Sequence, residues 1–209
     1  MLTVGTMLVT RGSRPNSIDV MANVVFGMMM SLDGYIAGAE GGPQLPPPGN
    51  ALHAYWNKYL ERVHTLVYGR KMYEVMQYWD SADTDPDAGK IQIDFARLWQ
   101  AKPKLVVSTT LRELGPNATL AGPDLGAEIA TLKRRADGEI GVAGPELAGH
   151  LSRLGLIDEY QLFLQPVVLG GGKPFFRAGV SIGELVPLGS EDLPEGVKLL
   201  RYGPKRAQG

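Results

Sequence analysis

The sequence has no cysteine, only three histidines and no excess of basic residues. The absence of cysteine excludes disulfides, thiolate metal sites and cysteine nucleophiles, and it fits a reducing compartment. His53, His64 and His150 lack a metal-ligand spacing such as H-x-x-x-H, so we expect packing or surface roles for them. With 21 Lys and Arg against 22 Asp and Glu, the formal net charge of -1 gives no footprint for nucleic acid.

The sequence also lacks the segments that would place it at a membrane. No apolar run approaches the length of a transmembrane helix, and the first residues do not form a basic segment followed by a long apolar one. Residues 1–20 are polar and turn-rich, and we expect a disordered leader there, followed by one domain over residues 21–205. We therefore expect a cytoplasmic protein whose partners are a small molecule and a second copy of itself.

Short apolar runs alternate with segments of helical periodicity along most of the chain. Buried strands are predicted at residues 24–30, 65–68, 105–107 and 140–142, and helices at residues 52–63, 91–100, 125–135 and 147–154. Strands without intervening helices follow at residues 160–169, 185–187 and 197–200. This order predicts an α/β fold with a mostly parallel central sheet and antiparallel strands at its C-terminal end.

Two strand ends carry glycine turns suited to an anionic ligand. Gly69 precedes the cations Arg70 and Lys71 at a helix start, where they oppose the helix dipole, so a bound anion is a natural compensation. Gly144 and Pro145 open a second helix in the same way. A plain glycine turn with solvated bases is the alternative interpretation of the first motif.

Hydroxyl and carboxyl groups follow two further strands. Ser108 and Thr109 suit a phosphate monoester such as the 2′-phosphate of NADPH, although they are also ordinary turn or cap residues. Asp33, in Ser31-Leu32-Asp33-Gly34, could orient a substrate or relay a proton, although Asp-Gly is also a routine turn.

Other nucleotide and hydrolase motifs are absent from the sequence. No G-x-G-x-x-G follows a strand and no G-x-S-x-G elbow occurs. The run Gly170-Gly171-Gly172-Lys173 lacks the spacing of a Walker motif and continues with Pro174, which excludes phosphoryl transfer on that pattern.

Taken in order, five segments resemble the dihydrofolate-reductase-like family that includes the C-terminal reductase domain of the bifunctional riboflavin-biosynthesis deaminase/reductase. They are MSLDGYIA (30–37), YGRKMYE (68–74), KLVVSTTL (104–111), VAGPEL (142–147) and the stretch from LIDEY to the FF pair (156–176). The resemblance implies a three-layer sandwich with NADPH across the strand ends, and it implies a homodimer.

The resemblance also implies roles for individual residues. Those expected near the cofactor pyrophosphate are Gly69, Arg70, Lys71, Gly144, Pro145, Glu146 and Leu147. Ser108 and Thr109 are expected at the 2′-phosphate, and Leu32 and Ile36 at the nicotinamide. Asp33 is the candidate catalytic residue at the substrate.

The chain departs from the family pattern in three places. Residues 143–145 read Ala-Gly-Pro where a riboflavin-pathway reductase has Glu-Gly-Gly. The deaminase half is missing, and its zinc motif is impossible without cysteine. Residues 52–55 offer no acid to protonate a pterin, as dihydrofolate reductases require.

We therefore expect an NADPH-dependent reductase that transfers hydride to a C=O or C=N bond of a heterocyclic or sugar-derived molecule. Reduction of 5-amino-6-(5-phosphoribosylamino)uracil is one candidate, with Asp33 or water as the proton source. Tyr35, Tyr55 and Trp56 could stack on a planar substrate ring. The alternatives are dihydrofolate reductase activity and a non-catalytic, dimeric nucleotide-binding module.

Overall fold

The computed structural model describes residues 21–39 and 44–205. The strands there are β1 (Val24–Ser31), β2 (Tyr35–Ala37), β3 (Val63–Gly69), β4 (Lys104–Val107), β5 (Ala118–Leu120), β6 (Glu139–Ala143), β7 (Glu159–Gln165), β8 (Lys173–Pro174), β9 (Leu185–Asp192) and β10 (Lys198–Pro204). The helices are α1 (Asn50–Arg62), α2 (Arg70–Met76), α3 (Lys90–Ala101), α4 (Leu125–Arg135) and α5 (Pro145–Arg153). The leader expected at residues 1–20 lies outside the described residues.

Eight of these strands form one sheet in the order β5-β4-β3-β6-β1-β7-β10-β9. The six strands from β5 to β7 run parallel, while β10 is antiparallel to β7 and β9 is antiparallel to β10. This arrangement confirms the predicted mostly parallel sheet with antiparallel C-terminal strands. A separate antiparallel pair, β2 and β8, joins the loops that follow β1 and β7.

Apolar side chains on the two faces of the sheet explain the three layers. Phe26 and Val142 face α4 and α5 and pack in one cluster with Ile129 and Leu151. On the other face a second cluster joins the sheet to α1, α2 and α3; it contains Leu60, Tyr68, Tyr73, Trp99 and Val106. Both faces of the parallel strands are therefore buried, as expected for continuous apolar runs. No helix in the described ranges is long and apolar enough to cross a membrane.

Several element boundaries differ from the sequence prediction. The strand expected over residues 160–169 ends at Gln165, because Pro166 has no N–H for the ladder and the chain turns away. The last two strands run further than expected, to Asp192 and Pro204. The short β5 was not predicted, since it lies at the sheet edge and two of its three residues are exposed.

Strand β1 pairs over a longer stretch with β7 than with β6. The pairing of β1 with β6 stops at Phe26 and Val142, whereas β1 and β7 stay paired up to Ser31 and Gln165. Five further residue pairs, 27–31 with 161–165, thus extend roughly 16 Å beyond the β1–β6 pairing at 3.3 Å per residue. We call this two-stranded extension the shelf. It lies beside the start of α5, where a flat group could rest against the sheet.

Candidate functional site

Two helices start side by side at the ends of neighbouring strands. Tyr68 of β3 pairs with Ala143 of β6, so the N-cap residues that follow, Gly69 of α2 and Gly144 of α5, are adjacent. A Cβ built on Gly144 would lie 3.9 Å from the Gly69 backbone nitrogen. Neither N-cap has a side-chain hydrogen bond. The structure thus brings together the two glycine turns that the sequence singled out.

The two glycines are present for different physical reasons. Gly144 has φ of 107° and ψ of 119°, a backbone conformation that L side chains rarely adopt. Gly69 has an ordinary φ of -72°, and an added Cβ would meet only the Leu147 Cβ, at 3.8 Å. The fold therefore requires glycine at Gly144 but not at Gly69, where glycine leaves open space in front of the backbone.

The first turn of α5 offers backbone donors rather than side chains. Pro145 occupies the first helical position, where its missing N–H costs no helical bond. The N–H groups of Glu146 and Leu147 precede the first helical bond, which runs from Ala148 to Gly144 at 3.0 Å. The Leu147 side chain is buried, and the Glu146 carboxylate pairs with Arg177 at 2.8 Å.

The cations of α2 lie at the edge of this turn. Arg70 is exposed and pairs with Glu74 at 2.7 Å, one helical turn further along. Lys71 is exposed as well. Both can reorient toward an anion, since an exposed pair of this kind contributes little to stability.

Ser108 lies next to Arg70, because Val107 of β4 pairs with Gly69 of β3. Its hydroxyl oxygen accepts hydrogen bonds from the backbone N–H groups of Thr110 at 3.2 Å and Leu111 at 3.0 Å. Both acceptor positions are therefore used, and the hydroxyl proton is left to donate outward. Thr109 is exposed beside it.

Asp33 joins the loops that follow the two strands of the shelf. Its carboxylate accepts from the backbone N–H groups of Leu169 at 3.1 Å and Gly170 at 2.7 Å. The Ser31 hydroxyl, followed by these backbone donors, holds the pKa of Asp33 below its ordinary value, and the side chain is exposed. The ionised carboxylate of Asp33 therefore holds two loops together by hydrogen bonds. An ionised carboxylate gives no support to a role as proton donor.

The two residues expected near the nicotinamide lie just beyond the shelf: Leu32 follows β1, and Ile36 lies in β2. Leu32 is 59% exposed, and its backbone N–H donates to Val167. Ile36 is half-buried and packs against the cluster that contains Phe26.

The three candidate stacking rings do not form one group. Trp56 and Tyr55 lie on α1 and pack against Phe163 of the shelf, with ring centroids 4.5 and 6.0 Å away. Tyr35 lies in β2 opposite Pro174, and within the described residues no ring contact joins it to the other two. These assignments stay predictions.

The sequence pattern did not reveal the cleft beside the start of α5. This cleft of about 180 Å³ is lined by Pro145, Glu146, Lys173, Pro174, Arg177 and Ala178. Lys173 and Arg177 give it two positive charges. The glycine run before Lys173 is the signal in the sequence that lies nearest to this cleft.

The fold is that of the dihydrofolate-reductase-like α/β proteins. A dihydrofolate reductase from Enterococcus faecalis, complexed with NADP(H), has a TM-score of 0.54 and 18% identity over 88% of this chain and 97% of that chain. Residues 22–199 match the model of the RibD C-terminal domain, and the chain belongs to that family.

Relatives of this family cover most of the chain. YyaP from Bacillus subtilis (strain 168) is 30% identical over 158 residues, which are 73% of this chain and 79% of that protein. A protein from Shewanella sp. PV-4, named for riboflavin biosynthesis, has a TM-score of 0.66 and 28% identity over 89% of this chain and 100% of its own.

A bifunctional relative shows which part of a longer protein the chain resembles. The deaminase/5-amino-6-(5-phosphoribosylamino)uracil reductase of Thermotoga maritima has a TM-score of 0.60 and 16% identity over 88% of this chain. The similarity covers 57% of the Thermotoga protein. At this identity the likeness shows the fold alone.

Proposed function

We propose that the protein is an NADPH-dependent reductase that transfers hydride to a C=O or C=N bond of a small heterocyclic or sugar-derived molecule. Membership of the RibD C-terminal domain family supports a reductase of the riboflavin-pathway type. The observation that carries the proposal is the family match over residues 22–199, and the adjacent glycine turns at Gly69 and Gly144 are where the chain offers room for the cofactor.

The residues present fit a dinucleotide that crosses the strand ends. Gly69, Gly144 and the N–H groups of Glu146 and Leu147 would hold the pyrophosphate, because helix N-termini favour negative charge and open glycine backbone admits a phosphate oxygen. Arg70, Lys71 and the outward hydroxyl of Ser108 would bind the 2′-phosphate, with Thr109 beside them. The shelf, bordered by Leu32 and Ile36, would carry the nicotinamide.

NADPH supplies the hydride when bound, so few protein groups need to react. Leu147 is buried at the start of α5, and Asp33 holds together the loops that follow β1 and β7. Because Asp33 is ionised and its oxygens already accept two backbone N–H groups, we propose that water delivers the proton while Asp33 positions the loops.

The homodimer remains part of the proposal. Edge strand β9 supports it, because Val186 and Leu188 are 37% and 49% exposed and would be covered by a second copy. Sedimentation or light scattering gives the oligomeric state directly, and a monomer at micromolar concentration would remove this part of the proposal.

Titration of the protein with NADPH and with NADH tests the cofactor assignment. We expect NADPH to bind more tightly, and failure of both to bind would refute the reductase. The non-catalytic module is the second candidate, since residues 143–145 provide no carboxylate at the cofactor turn. Oxidation of NADPH with any member of a panel of aldehydes, pterins and pyrimidines would exclude that module, whereas binding without turnover would favour it.

A further inference from the structure

The shelf ends at a glutamine that is buried but only partly hydrogen-bonded. Gln165, the last residue of β7, is 3% exposed. Its amide nitrogen donates to the Pro46 carbonyl oxygen and to the Met29 Sδ, each at 3.2 Å. Its carbonyl oxygen Oε1 is enclosed and has no hydrogen-bond partner within residues 21–39 and 44–205. Because the Pro46 carbonyl can only accept, the amide nitrogen has to face it, and Oε1 is the unpaired atom.

Pro46 belongs to residues 44–49, which we call the strap and which lead into α1. Its three consecutive prolines have no N–H groups, so side chains from distant segments of the chain hold the strap in place. Gln165 holds it at Pro46, and the Glu195 carboxylate accepts from the backbone N–H groups of Gly49 at 2.9 Å and Leu52 at 3.2 Å. The strap therefore closes over the end of the shelf on its α1 side.

A structural role alone does not account for the choice of glutamine. An enclosed acceptor without a partner destabilises the folded chain, whereas an apolar side chain of similar volume at this position would avoid that cost. The unpaired Oε1 belongs to the last residue of the shelf, the surface on which we propose that the reacting ring rests. A ligand N–H is the group that would satisfy it.

We propose that Gln165 determines substrate specificity, an inference that rests on the proposed reductase activity. When the strap lifts, Oε1 accepts a hydrogen bond from a ring N–H or amino group of a planar nitrogen heterocycle. Compounds without such a donor, simple aldehydes among them, leave the buried oxygen unpaired and are discriminated against.

Calorimetric binding to the NADPH-loaded protein tests this without requiring turnover. The probes are 5-amino-6-(5-phosphoribosylamino)uracil and dihydrofolate, both of which carry ring donors. The test variant is Gln165→Leu, which removes the acceptor together with the amide group that holds Pro46. Glu195→Ala is the control for the strap, because it removes the strap's other contact and keeps the Gln165 acceptor. Gln92→Leu is the matched control for the substitution, because Gln92 also has an enclosed Oε1 without a partner in the described residues but lies on α3.

We expect wild type to bind at least one probe and Gln165→Leu to weaken that probe at least tenfold. Glu195→Ala and Gln92→Leu should stay within threefold of wild type, and the affinity for NADPH should not change in any variant. Equal affinity of wild type and Gln165→Leu overturns the inference, as does an equal loss of probe binding in Glu195→Ala. If the wild-type protein binds NADPH but neither probe, the proposed substrate class is wrong and the proposed reductase activity is unaffected. If the wild-type protein does not bind NADPH, both proposals are wrong.

Discussion

Replacing Gly69 by alanine should weaken the binding of NADPH much more than it lowers the stability of the fold. The φ of -72° suits alanine, and the added methyl group would lie 3.8 Å from the Leu147 Cβ, an ordinary contact. Alanine is a poorer N-cap than glycine, which costs about 0.5–1 kcal/mol of folding free energy. In a domain of this size the melting temperature should therefore fall by only about 1–4 °C.

The effect of Gly69→Ala on NADPH should be much larger than its effect on stability. A methyl group at Gly69 would occupy the space between the two helix starts through which a phosphate oxygen approaches the backbone. We expect the dissociation constant for NADPH to rise at least about tenfold, equivalent to about 1.4 kcal/mol. Fluorescence titration with NADPH and a thermal melt of the same sample measure the two quantities together.

Gly126→Ala is the control for Gly69→Ala. Gly126 lies in the first turn of α4, and its added Cβ would make ordinary contacts with Asp124 at 3.5 Å and Leu154 at 3.7 Å. This variant should keep the affinity for NADPH. If Gly69→Ala binds NADPH as wild type does, the pyrophosphate does not approach Gly69 and the assignment of this turn is wrong.

Three further predictions concern other described residues. Ser108→Ala should raise the dissociation constant for NADPH about fivefold and leave that for NADH unchanged, since we propose that the lost hydroxyl donates to the 2′-phosphate, which NADH lacks; equal effects on both cofactors would contradict its placement. Glu195→Ala should cost about 0.5–2 kcal/mol in urea unfolding, because the Gly49 and Leu52 N–H groups at the start of α1 lose their acceptor. Burial lowers the pKa of Lys104 to about 8, against the opposing effect of Asp80, so between about pH 8 and pH 10 the unfolded chain binds the proton that the folded chain has lost. Relative to Lys104→Met, the wild type should therefore gain up to about 3 kcal/mol over that range, since the tyrosines whose pKa burial raises affect both proteins alike; equal profiles for the two proteins would show that Lys104 stays charged when folded.

The parallel sheet and the glycine turns could be predicted because their signals are local. An apolar run followed by glycine and a helical pattern identifies a strand-to-helix turn, and parallel strands bring such turns to one edge. The two turns at Gly69 and Gly144 do lie side by side at one edge of the sheet. The edge strand β5 escaped prediction, because two of its three residues are exposed and no apolar alternation marks it.

The partners of Asp33, Gln165 and Glu195 could not be predicted, since they depend on register and packing between distant segments. Asp33 accepts from backbone 136 residues away, and no sequence pattern specifies which N–H groups a loop will present. Gln165 appeared in the sequence as part of a longer strand, and only the early end of β7 brings its amide to the strap. Glu195 has φ of 63°, a conformation favoured by glycine that holds its carboxylate against α1.

The position of β1 in the sheet constrains how the chain can fold during synthesis. Val25 pairs with Glu159, and Phe26 pairs with Val142, so both neighbours of β1 leave the ribosome more than a hundred residues after it. Until then its apolar residues have no sheet to join, and the contacts that close the sheet are among the slowest to form. The nascent chain therefore exposes an unpaired, aggregation-prone strand for most of translation, and chaperone binding near residues 24–30 would be the expected cellular response.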